Sequence, residues 1–254
     1  MSNLSLVIPA FNEEHRLAPS LRRILSFFEE RRDLLEIVVV DDGSEDRTWE
    51  VVESFPAPVR GIRLDRNRGK GAALRSGVAA TTGARLLLTD ADLSAPIEDL
   101  VKLEGHLAEV PFVIGSRSVE GADVTRRQPL YRESMGRIFN VLIRSIGLGF
   151  GFRDTQCGFK LLDGAVGRAL MAASVVDGFA YDVELIWLAR RAGLEVREVG
   201  VTWRHVEESR VRLVRHSLAM LWDVARFRFE HRATRLDLSG VWPCPAAAKH
   251  GRSA

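Results

Sequence analysis

The chain has 254 residues, of which 46% are hydrophobic and 28% are charged, and its formal net charge at pH 7 is +2. This near-neutral charge gives no indication of a protein that binds nucleic acid through its overall field. Two cysteines exclude a disulfide-stapled small domain and suit a reducing compartment. Because there is no apolar run of about 18 residues and no signal-peptide pattern, we predict no transmembrane helix and expect a cytoplasmic protein.

The first half of the chain alternates apolar strands with segments of helical periodicity. We predict strands over residues 4–10, 35–42, 59–65, 84–92 and 112–117. Helices are predicted between them over residues 13–31, 44–55 and 69–83. A strand–helix–strand order of this kind predicts an α/β fold with a mostly parallel sheet and helices on both of its faces.

The second half of the chain is less regular. The alternation is lost after Gly121, and helical periodicity returns over residues 131–146. The last stretch, residues 236–254, has the composition of a weakly ordered tail.

Residues 213–232 have the pattern of an amphipathic helix. The apolar side chains near one side are Leu213, Leu218, Leu221, Trp222, Ala225 and Phe229. The arginines that fringe this side are Arg215, Arg226, Arg228 and Arg232. This composition suits a helix lying on an anionic membrane surface, which would give peripheral contact with the inner face of the membrane, and packing on the protein core is the alternative.

Polar motifs follow four of the predicted strands. They are PAFNEE at 9–14, DDGSED at 41–46, DRNRGKG at 65–71 and DADLS at 90–94. Each motif alone has an ordinary explanation as a turn or a helix cap. In an open parallel sheet, however, ligands bind at the carboxyl ends of the strands. The four motifs together therefore predict one binding site.

Asp90 and Asp92 end an apolar strand with one alanine between them. In an extended chain such residues point to the same side, about 7 Å apart along the backbone. Two carboxylates this close repel unless a cation or a shared proton relieves them. Their hard oxygens suit Mg²⁺ or Mn²⁺, above all when a diphosphate supplies further ligands. The pair predicts a divalent metal site, with a solvated loop as the alternative.

The four motifs, in this order and spacing, resemble those of the family 2 glycosyltransferases, which have the GT-A fold. Downstream, RDTQCGFKLL, FAYDVELIWLA and ESRVRL are similar to segments of the polyprenyl-phosphate hexosyltransferases, with the dolichyl-phosphate β-glucosyltransferases as the nearest group. The resemblance implies a three-layer GT-A sandwich over residues 1–235. Its nucleotide-binding half would span 1–120 and its acceptor-binding half 121–235.

On the donor side, the resemblance implies a nucleotide pocket and a metal site. The implied nucleotide residues are Pro9, Ala10, Phe11, Glu13, Asp42, Lys70, Asp90 and Ala91. The implied metal ligands are Asp90, Asp92 and Ser94. Glu13 would accept ribose hydroxyls, and Asp42 would read the base, while Asp41 braces the loop. Lys70 lies between two glycines, whose backbone lets a ligand approach closely.

On the acceptor side, the resemblance implies phosphate contacts from arginines, whose guanidinium groups can bind phosphate through two N–H groups. They are Arg117, Arg132, Arg210 and Arg212. Asp154 and Gln156 would shape the sugar pocket, and Cys157 would pack as a small residue. Asp182 and Glu184 are two positions apart, so on a helix they cannot share a face. Asp182 is expected to face the site.

The predicted function is that of an inverting, metal-dependent glycosyltransferase, with Asp92, Asp182 and Arg117 as catalytic residues. It would move a hexose, glucose before mannose, from UDP-glucose or GDP-mannose to a polyprenyl or dolichyl phosphate. A phosphate acceptor is largely ionised at neutral pH, so it needs no general base. One alternative is a hydroxyl acceptor with Asp182 as the base. The other is a nucleotide-sugar-binding protein without turnover.

Overall fold

The computed structural model of the chain describes residues 3–126, 151–204 and 213–242. The strands are β1 (Leu4–Ala10), β2 (Leu34–Asp41), β3 (Val59–Arg63), β4 (Arg85–Leu88), β5 (Phe112–Ser116), β6 (Asp123–Arg126), β7 (Lys160–Asp163), β8 (Val196–Gly200) and β9 (Thr202–Arg204). The helices are α1 (Leu17–Phe28), α2 (Thr48–Glu53), α3 (Lys70–Ala79), α4 (Leu100–Leu107), α5 (Gly164–Ala173), α6 (Tyr181–Arg191) and α7 (Leu213–Glu230). Short 3₁₀ turns cover Ile97–Asp99 and His231–Ala233. The helix predicted over residues 131–146 lies outside the described residues.

Seven strands form the central sheet, in the order β3-β2-β1-β4-β7-β5-β8. β1 pairs in parallel with β2 and β4, β2 with β3, and β5 with β8. β7 runs antiparallel to its neighbours β4 and β5. A small second sheet pairs β6 with β9. The predicted α/β class with a mostly parallel sheet is confirmed.

Alternate side chains of the central strands enter two separate cores. In β2, Val38 and Val40 enter one core, whereas Ile37 and Val39 enter the other. Residues of α3, α5, α6 and α7 complete the first core, and residues of α1 and α4 complete the second. Successive strand residues point to opposite faces, so an uninterrupted apolar run must be covered on both. The resulting three layers are those expected from the sequence.

Helix α1 is one of the helices that cover the sheet, and its sequence shows which of its sides is buried. Leu17, Leu21, Ile24 and Phe28 recur at spacings of three and four residues, and all four are buried. Pro19 lies in the first turn, where backbone N–H groups have no partner within the helix. The helix therefore forms a single apolar stripe, which packs on the second core.

Strand β7 determines where the preceding loop lies. Its first residue, Lys160, pairs with Leu88, the last residue of β4. The segment before Lys160 therefore lies at the carboxyl edge of the sheet, beside the residues that follow β4. The sequence did not predict this strand, because it is short and its partners are distant along the chain.

Helix α7 packs one of its sides on the protein core and exposes two aromatic side chains on another. Met220, Val224 and Phe227 are buried in the first core. Trp222 is 71% exposed and Phe229 is 64% exposed on the other side. In the part of the chain that the structure describes, no helix is both long enough and apolar enough to cross a bilayer.

The beginning of the expected tail packs on the protein. Leu238 is buried in the first core, and Leu236 and Trp242 pack against it. These three apolar side chains fix the path of residues 236–242. Residues 243–254 lie outside the described residues.

Candidate functional site

A cleft of about 390 Å³ opens at the carboxyl edge of the sheet, at the ends of β1, β2 and β4. Its lining includes each residue implied as a nucleotide contact, namely Pro9, Ala10, Phe11, Glu13, Asp42, Lys70, Asp90 and Ala91. Asp92 lines the cleft as well. The lining is completed by Arg16, Asn67, Gly69, Ala73 and Phe179. The sheet thus brings the four polar motifs of the sequence to one place.

The two aspartates of the cleft lie in a turn. β4 ends at Leu88, and the N–H of Leu93 donates to the carbonyl of Asp90 at 3.2 Å. Leu93 has a φ of 46°, in the left-handed region. The Asp92 carboxylate accepts the N–H of Ser94 at 2.9 Å. The predicted extended arrangement of the pair is wrong, because the backbone leaves the sheet before Asp90.

The Asp90 carboxylate is paired with a lysine. Lys70 Nζ lies 2.5 Å from Asp90 Oδ1. Burial opposes both charges, yet the attraction of Lys70 lowers the pKa of Asp90. Burial is likewise outweighed at Lys70, where Asp90, Asp182 and Asp92 raise the pKa of the ammonium group. The repulsion expected between neighbouring carboxylates is therefore relieved in part by a cation at the start of α3.

Gly69 and Gly71 allow a close approach between two protein segments. Gly69 has a φ of 106°, and a Cβ there would lie 2.5 Å from the carbonyl oxygen of Asp177. A Cβ on Gly71 would lie closer still to the carbonyl oxygen of Val176. The N–H of Ala72 donates to the Asp177 carbonyl at 3.1 Å. The conformational freedom of these glycines serves this contact, whereas the sequence suggests the approach of a ligand.

Gly158 packs directly against the Asp90 carboxylate. A Cβ at Gly158 would lie 2.7 Å from the carboxyl carbon of Asp90 and closer still to Oδ2. Any side chain at this position would displace the carboxylate. Sequence reasoning missed Gly158, although a glycine just before the apolar run of β7 is a signal of close packing.

Asp42 holds a loop at the cleft. Its two oxygens accept the N–H groups of Arg68 and Gly69, both at 2.8 Å. Burial raises the pKa of Asp42 in spite of these hydrogen bonds. Its neighbour Asp41 is buried, with Oδ2 3.2 Å from Arg63 Nε. Both aspartates brace loops, and a base contact by Asp42 would use the remaining lone pairs of its oxygens.

Glu13 is bound by a neighbouring arginine. Arg16 Nε and Nη2 donate to its two oxygens at 2.6 and 2.7 Å. The N–H of Glu13 donates to the Thr48 hydroxyl at 2.7 Å. The carboxylate expected to accept ribose hydroxyls is thus oriented by Arg16, which adds a cation to the donor side of the cleft.

Arg117 is held by Asp154, which is 1% exposed. Its Nε and Nη2 donate to the two oxygens of Asp154 at 2.6 and 2.8 Å, and its backbone N–H donates at 3.0 Å. Burial opposes the charge of Arg117, but Asp154 outweighs it and raises the pKa of the guanidinium group. The guanidinium lies over the Trp203 ring, 5.4 Å from its centroid. Asp154 therefore orients an arginine, and neither residue lines the cleft.

Asp182 forms a buried ion pair with Lys160. The side chains are 5% and 0% exposed, and the ammonium group also donates to the carbonyl of Cys157. Burial raises the pKa of Asp182, although Lys160 and Lys70 oppose it. Burial also raises the pKa of the Cys157 thiol to about 11, in keeping with its expected role as a packed residue. Asp182 does not line the cleft.

Two further predicted site residues lie away from the cleft lining. Ser94 contributes its backbone N–H to Asp92 and is itself buried. Gln156 Nε2 lies 3.6 Å from the sulfur of Met220, against α7. The remaining implied acceptor residues, Arg132, Arg210 and Arg212, lie outside the described residues.

The sequence also matches a family model and named relatives. The model described as glycosyl transferase family 2 matches residues 5–174. Dolichyl-phosphate beta-glucosyltransferase from Dictyostelium discoideum is 30% identical over 255 residues, covering 94% of this chain and 76% of that protein. The protein of the same name from Mus musculus is 32% identical over 256 residues, covering 94% and 77%.

Solved structures share the fold. Mannosyl-3-phosphoglycerate synthase from Rubrobacter xylanophilus has a TM-score of 0.69 and 22% identity, over 92% of this chain and 76% of that one. Glucosyl-3-phosphoglycerate synthase from Mycobacterium tuberculosis, in complex with Mn²⁺, UDP-glucose and phosphoglyceric acid, has a TM-score of 0.65 and 20% identity, over 89% and 79%. These likenesses confirm the predicted GT-A fold. The chain belongs to glycosyl transferase family 2, and it is accordingly an enzyme of glycosyl transfer.

Proposed function

We propose that the chain transfers glucose from UDP-glucose to a polyprenyl phosphate of the dolichyl type, with inversion at the anomeric carbon and with the help of a divalent cation. The observation that carries the proposal is the carboxyl-edge cleft, where Asp90 and Asp92 share one turn beside Lys70. The names of the relatives from Dictyostelium discoideum and Mus musculus support the choice of sugar and acceptor.

A divalent cation fits the turn that carries Asp90 and Asp92. Their carboxylate oxygens are hard ligands, and both residues line the cleft. Among the described residues, no group of three or more His, Cys, Asp and Glu side chains could enclose a metal by itself. The diphosphate and water would therefore complete the ligand set, as is common for Mg²⁺. A cation held there would stabilise the negative charge on the departing diphosphate.

Lys70 supports the same step from the protein side. Its ammonium group is paired with Asp90 and stays charged, because the surrounding carboxylates raise its pKa against the effect of burial. A fixed positive charge next to the leaving group is more effective in a buried site than in water. Lys70 would thus hold the diphosphate and share Asp90 with the metal.

The environment of Asp182 favours an acceptor that arrives ionised. A hydroxyl acceptor needs a base within hydrogen-bond reach of its oxygen. Asp182 is instead buried against Lys160 and lies outside the cleft lining. A phosphate monoester is largely dianionic at neutral pH, since its second pKa is about 6. It needs orientation and charge neutralisation, and we assign Asp182 to the support of Lys160.

Arg117 is the described arginine that we assign to the acceptor phosphate. Asp154 engages Nε and Nη2, so Nη1 is not part of that contact. Contacts to Asp154 and to the Trp203 ring fix the guanidinium plane. A pre-oriented arginine loses little side-chain entropy when it binds a phosphate.

The exposed aromatic side chains of α7 would bring the enzyme to its lipid acceptor. Trp222 and Phe229 are seven residues apart and thus lie on the same side of the helix. The guanidinium of Arg232 lies 4.3 Å from the centroid of the Phe229 ring. Aromatic rings flanked by arginines suit the interface of an anionic membrane.

A donor screen tests the proposal. Purified enzyme would be incubated with MnCl₂, a short polyprenyl phosphate and labelled UDP-glucose, GDP-mannose or UDP-N-acetylglucosamine, and label in the organic extract would be counted. We expect product from UDP-glucose and loss of product with a chelator. Preference for GDP-mannose would correct the sugar and the nucleotide, and no extractable product from any donor would contradict the acceptor.

A further inference from the structure

Residues 174–179, here called the strap, lie between α5 and α6 and carry Phe179 into the lining of the cleft. The strap packs against the start of α3, the helix that begins with Lys70. Its Asp177 carbonyl accepts the N–H of Ala72 at 3.1 Å. Arg75 of α3 reaches the strap too, because its Nη1 donates to the carbonyl of Val176 at 3.3 Å. A shift of the strap would therefore move both Phe179 and the backbone beside Lys70.

Glu184 of α6 holds the strap from the other side. Its side chain is completely buried. One carboxylate oxygen accepts the N–H of Val175 at 2.9 Å, and the other accepts the N–H of Val176 at 3.0 Å. His231, just after α7, donates from Nε2 to the first of these oxygens at 2.7 Å. A buried carboxylate is tolerated only when its oxygens are hydrogen bonded, so the three donors form one unit with Glu184.

The position of this unit distinguishes it from an ordinary structural contact. Glu184 is two residues after Asp182, but it points to the strap, whereas Asp182 pairs with Lys160. From Glu184 the contacts run through the backbone of Val176 to the start of α3. Gly71 has no room for a side chain there, so the backbones of the strap and of α3 lie in direct contact.

We propose that Glu184 and His231 are positioning residues for the donor: they fix the strap, and through it Phe179 and Lys70, in the arrangement that binds the nucleotide-sugar. The inference rests on the proposed function in one respect, namely that a nucleotide occupies the cleft. It assigns a role in donor binding to His231, a residue that does not line the cleft and lies beyond the part of the chain matched by the family model.

Substitutions at His231 test the inference with a matched pair. His231→Leu removes the donor to Glu184, whereas His231→Gln keeps an N–H group that can reach it. We expect His231→Leu to weaken the binding of UDP, in the presence of MnCl₂, by about tenfold, the size expected for the loss of a hydrogen bond to a charged group. His231→Gln should restore most of the affinity, and Glu184→Gln should weaken binding at least as much as His231→Leu.

Asp163→Ala is the control for a loss of stability alone. Asp163 also accepts two backbone N–H groups, from Ala165 and Val166 at 3.0 Å each. It lies at the opposite edge of the sheet, where β7 ends beside Arg85, the first residue of β4. We expect Asp163→Ala to lower the melting temperature while leaving the affinity for UDP unchanged. If His231→Leu also lowers only the melting temperature, Glu184 and His231 are structural and the inference is overturned.

Hydrogen exchange in the free enzyme separates this inference from the proposed function, because it needs no nucleotide. The amides of Ala72, Val175 and Val176 should exchange faster in His231→Leu than in Asp163→Ala. If they exchange equally in the two variants, the strap is not held by His231 and the inference fails. A wild-type enzyme that binds neither UDP nor GDP would contradict the proposed function, and the exchange comparison would still decide the role of His231.

Discussion

Clusters of buried and half-buried charged side chains lie at both edges of the central sheet, and the two clusters differ in what surrounds them. At the amino edge, Arg31, Asp33, Arg85 and Glu104 form a closed ring, here called the amino-edge network. Arg31 lies 3.0 Å from Asp33 and 2.7 Å from Glu104, and Arg85 lies 2.8 Å from Asp33 and contacts Glu104. Every charge in this ring has two opposite charges as neighbours.

At the carboxyl edge, Lys70, Asp90, Asp92, Lys160 and Asp182 form what we call the carboxyl-edge cluster. Lys70 pairs with Asp90, and Lys160 pairs with Asp182. The side chain of Asp90 nevertheless remains 36% exposed, and Asp92 also lines the cleft. The ion pairs of the amino edge close on one another, whereas those of the carboxyl edge leave carboxylate oxygens facing a space that a ligand can enter. Buried ion pairs alone thus do not mark a site; their access to the cleft does.

The largest effect on activity should come from Asp92, the member of the carboxyl-edge cluster that we assign to the metal and that lines the cleft. Asp92→Asn keeps an oxygen that can accept the N–H of Ser94 but removes the charge that a metal needs. We expect kcat to fall by about a thousandfold, comparable to the loss of a key electrostatic group in other enzymes. The melting temperature should hardly change. Transfer assays measure kcat and thermal unfolding measures the melting temperature, with Glu30→Gln, at an exposed position, as the control. Normal turnover of Asp92→Asn in excess chelator would show the metal assignment to be wrong.

Substitutions in the buried Lys160–Asp182 ion pair of the same cluster should change the stability of the protein. Asp182→Asn leaves the buried Lys160 without a countercharge, which should cost about 4 kcal/mol of unfolding free energy. The double substitution Asp182→Asn with Lys160→Met removes both charges and should regain much of that loss, because a buried pair can be replaced by apolar groups at little cost. Urea unfolding of the wild type, of Asp182→Asn and of the double variant measures these differences in unfolding free energy.

Activity of the same double variant decides between the two acceptors. With a phosphate acceptor, it should retain a substantial part of the wild-type kcat, since Asp182 supports the fold and does not remove a proton. A double variant that is stable, binds the donor and has no activity would instead identify Asp182 as the base for a hydroxyl acceptor.

The amino-edge network should affect stability and leave catalysis unchanged. Asp33→Asn breaks two contacts, to Arg31 and Arg85, and should cost about 3 kcal/mol. Burial opposes the charge of Asp33, but its two arginine partners lower the pKa of the carboxyl group. Its stabilising contribution is therefore present above its unfolded pKa of about 4 and is lost as the pH falls through the lower folded value.

Urea unfolding of wild type and Asp33→Asn at several pH values checks this sign. The difference between them should be largest near neutral pH and should shrink below about pH 4. A fall in kcat/KM for Asp33→Asn at a temperature where it is fully folded would mean that the two edges are coupled. The amino-edge network would then contribute to catalysis as well as to stability.

Loss of Arg117 should affect the acceptor and not the donor. Arg117→Ala should lower kcat/KM for the polyprenyl phosphate by about a hundredfold, because truncation leaves Asp154 buried without its partner as well as removing the phosphate contact. The KM for the donor should be nearly unchanged. Steady-state kinetics with each substrate varied in turn measures the split; a rise in the donor KM alone would place Arg117 on the other side of the reaction.

The smallest effect concerns the surface of α7. Replacing both Trp222 and Phe229 by serine should weaken binding to anionic vesicles by about tenfold, because the two rings would no longer bury apolar surface in lipid. Val101, 56% exposed on α4, provides the control, and Val101→Ser should bind as wild type does. Co-sedimentation at low salt measures this, and absence of wild-type binding would exclude the membrane role of α7.

Much of the fold follows from local pattern. β1 ends where the sequence predicts, at Ala10, and the apolar run of β2 has covers on both faces, as a parallel sheet requires. The antiparallel β7 could not be predicted, because its pairing with β4 joins distant parts of the chain and leaves no periodic signal in a strand of four residues. The turn at Asp90 was also missed, since the apolar run before it gives no sign of where the strand ends.

The candidate site was predictable as a set of residues, and its internal contacts were not. Strand ends placed Asp42 and Lys70 at one edge, but nothing local indicated that Asp42 holds the backbone of Gly69. Lys160 is not among the residues predicted for the site, although a single lysine in the apolar segment CGFKLL is a signal of a buried ion pair. Phe179 enters the cleft through the strap, whose position depends on a buried carboxylate in the following helix.

The acceptor preference of the wild-type enzyme distinguishes most sharply between an ionised acceptor and a hydroxyl acceptor. Wild-type enzyme, UDP-glucose and MnCl₂ would be supplied with a polyprenyl phosphate or with the corresponding polyprenol, and initial rates of transfer would be compared. We predict transfer to the phosphate and none above background to the alcohol, because Arg117, oriented by Asp154, supplies a cation for an ionised acceptor, whereas Asp182 is buried against Lys160. Faster transfer to the polyprenol would contradict the phosphate acceptor and would assign Asp182 the role of a catalytic base.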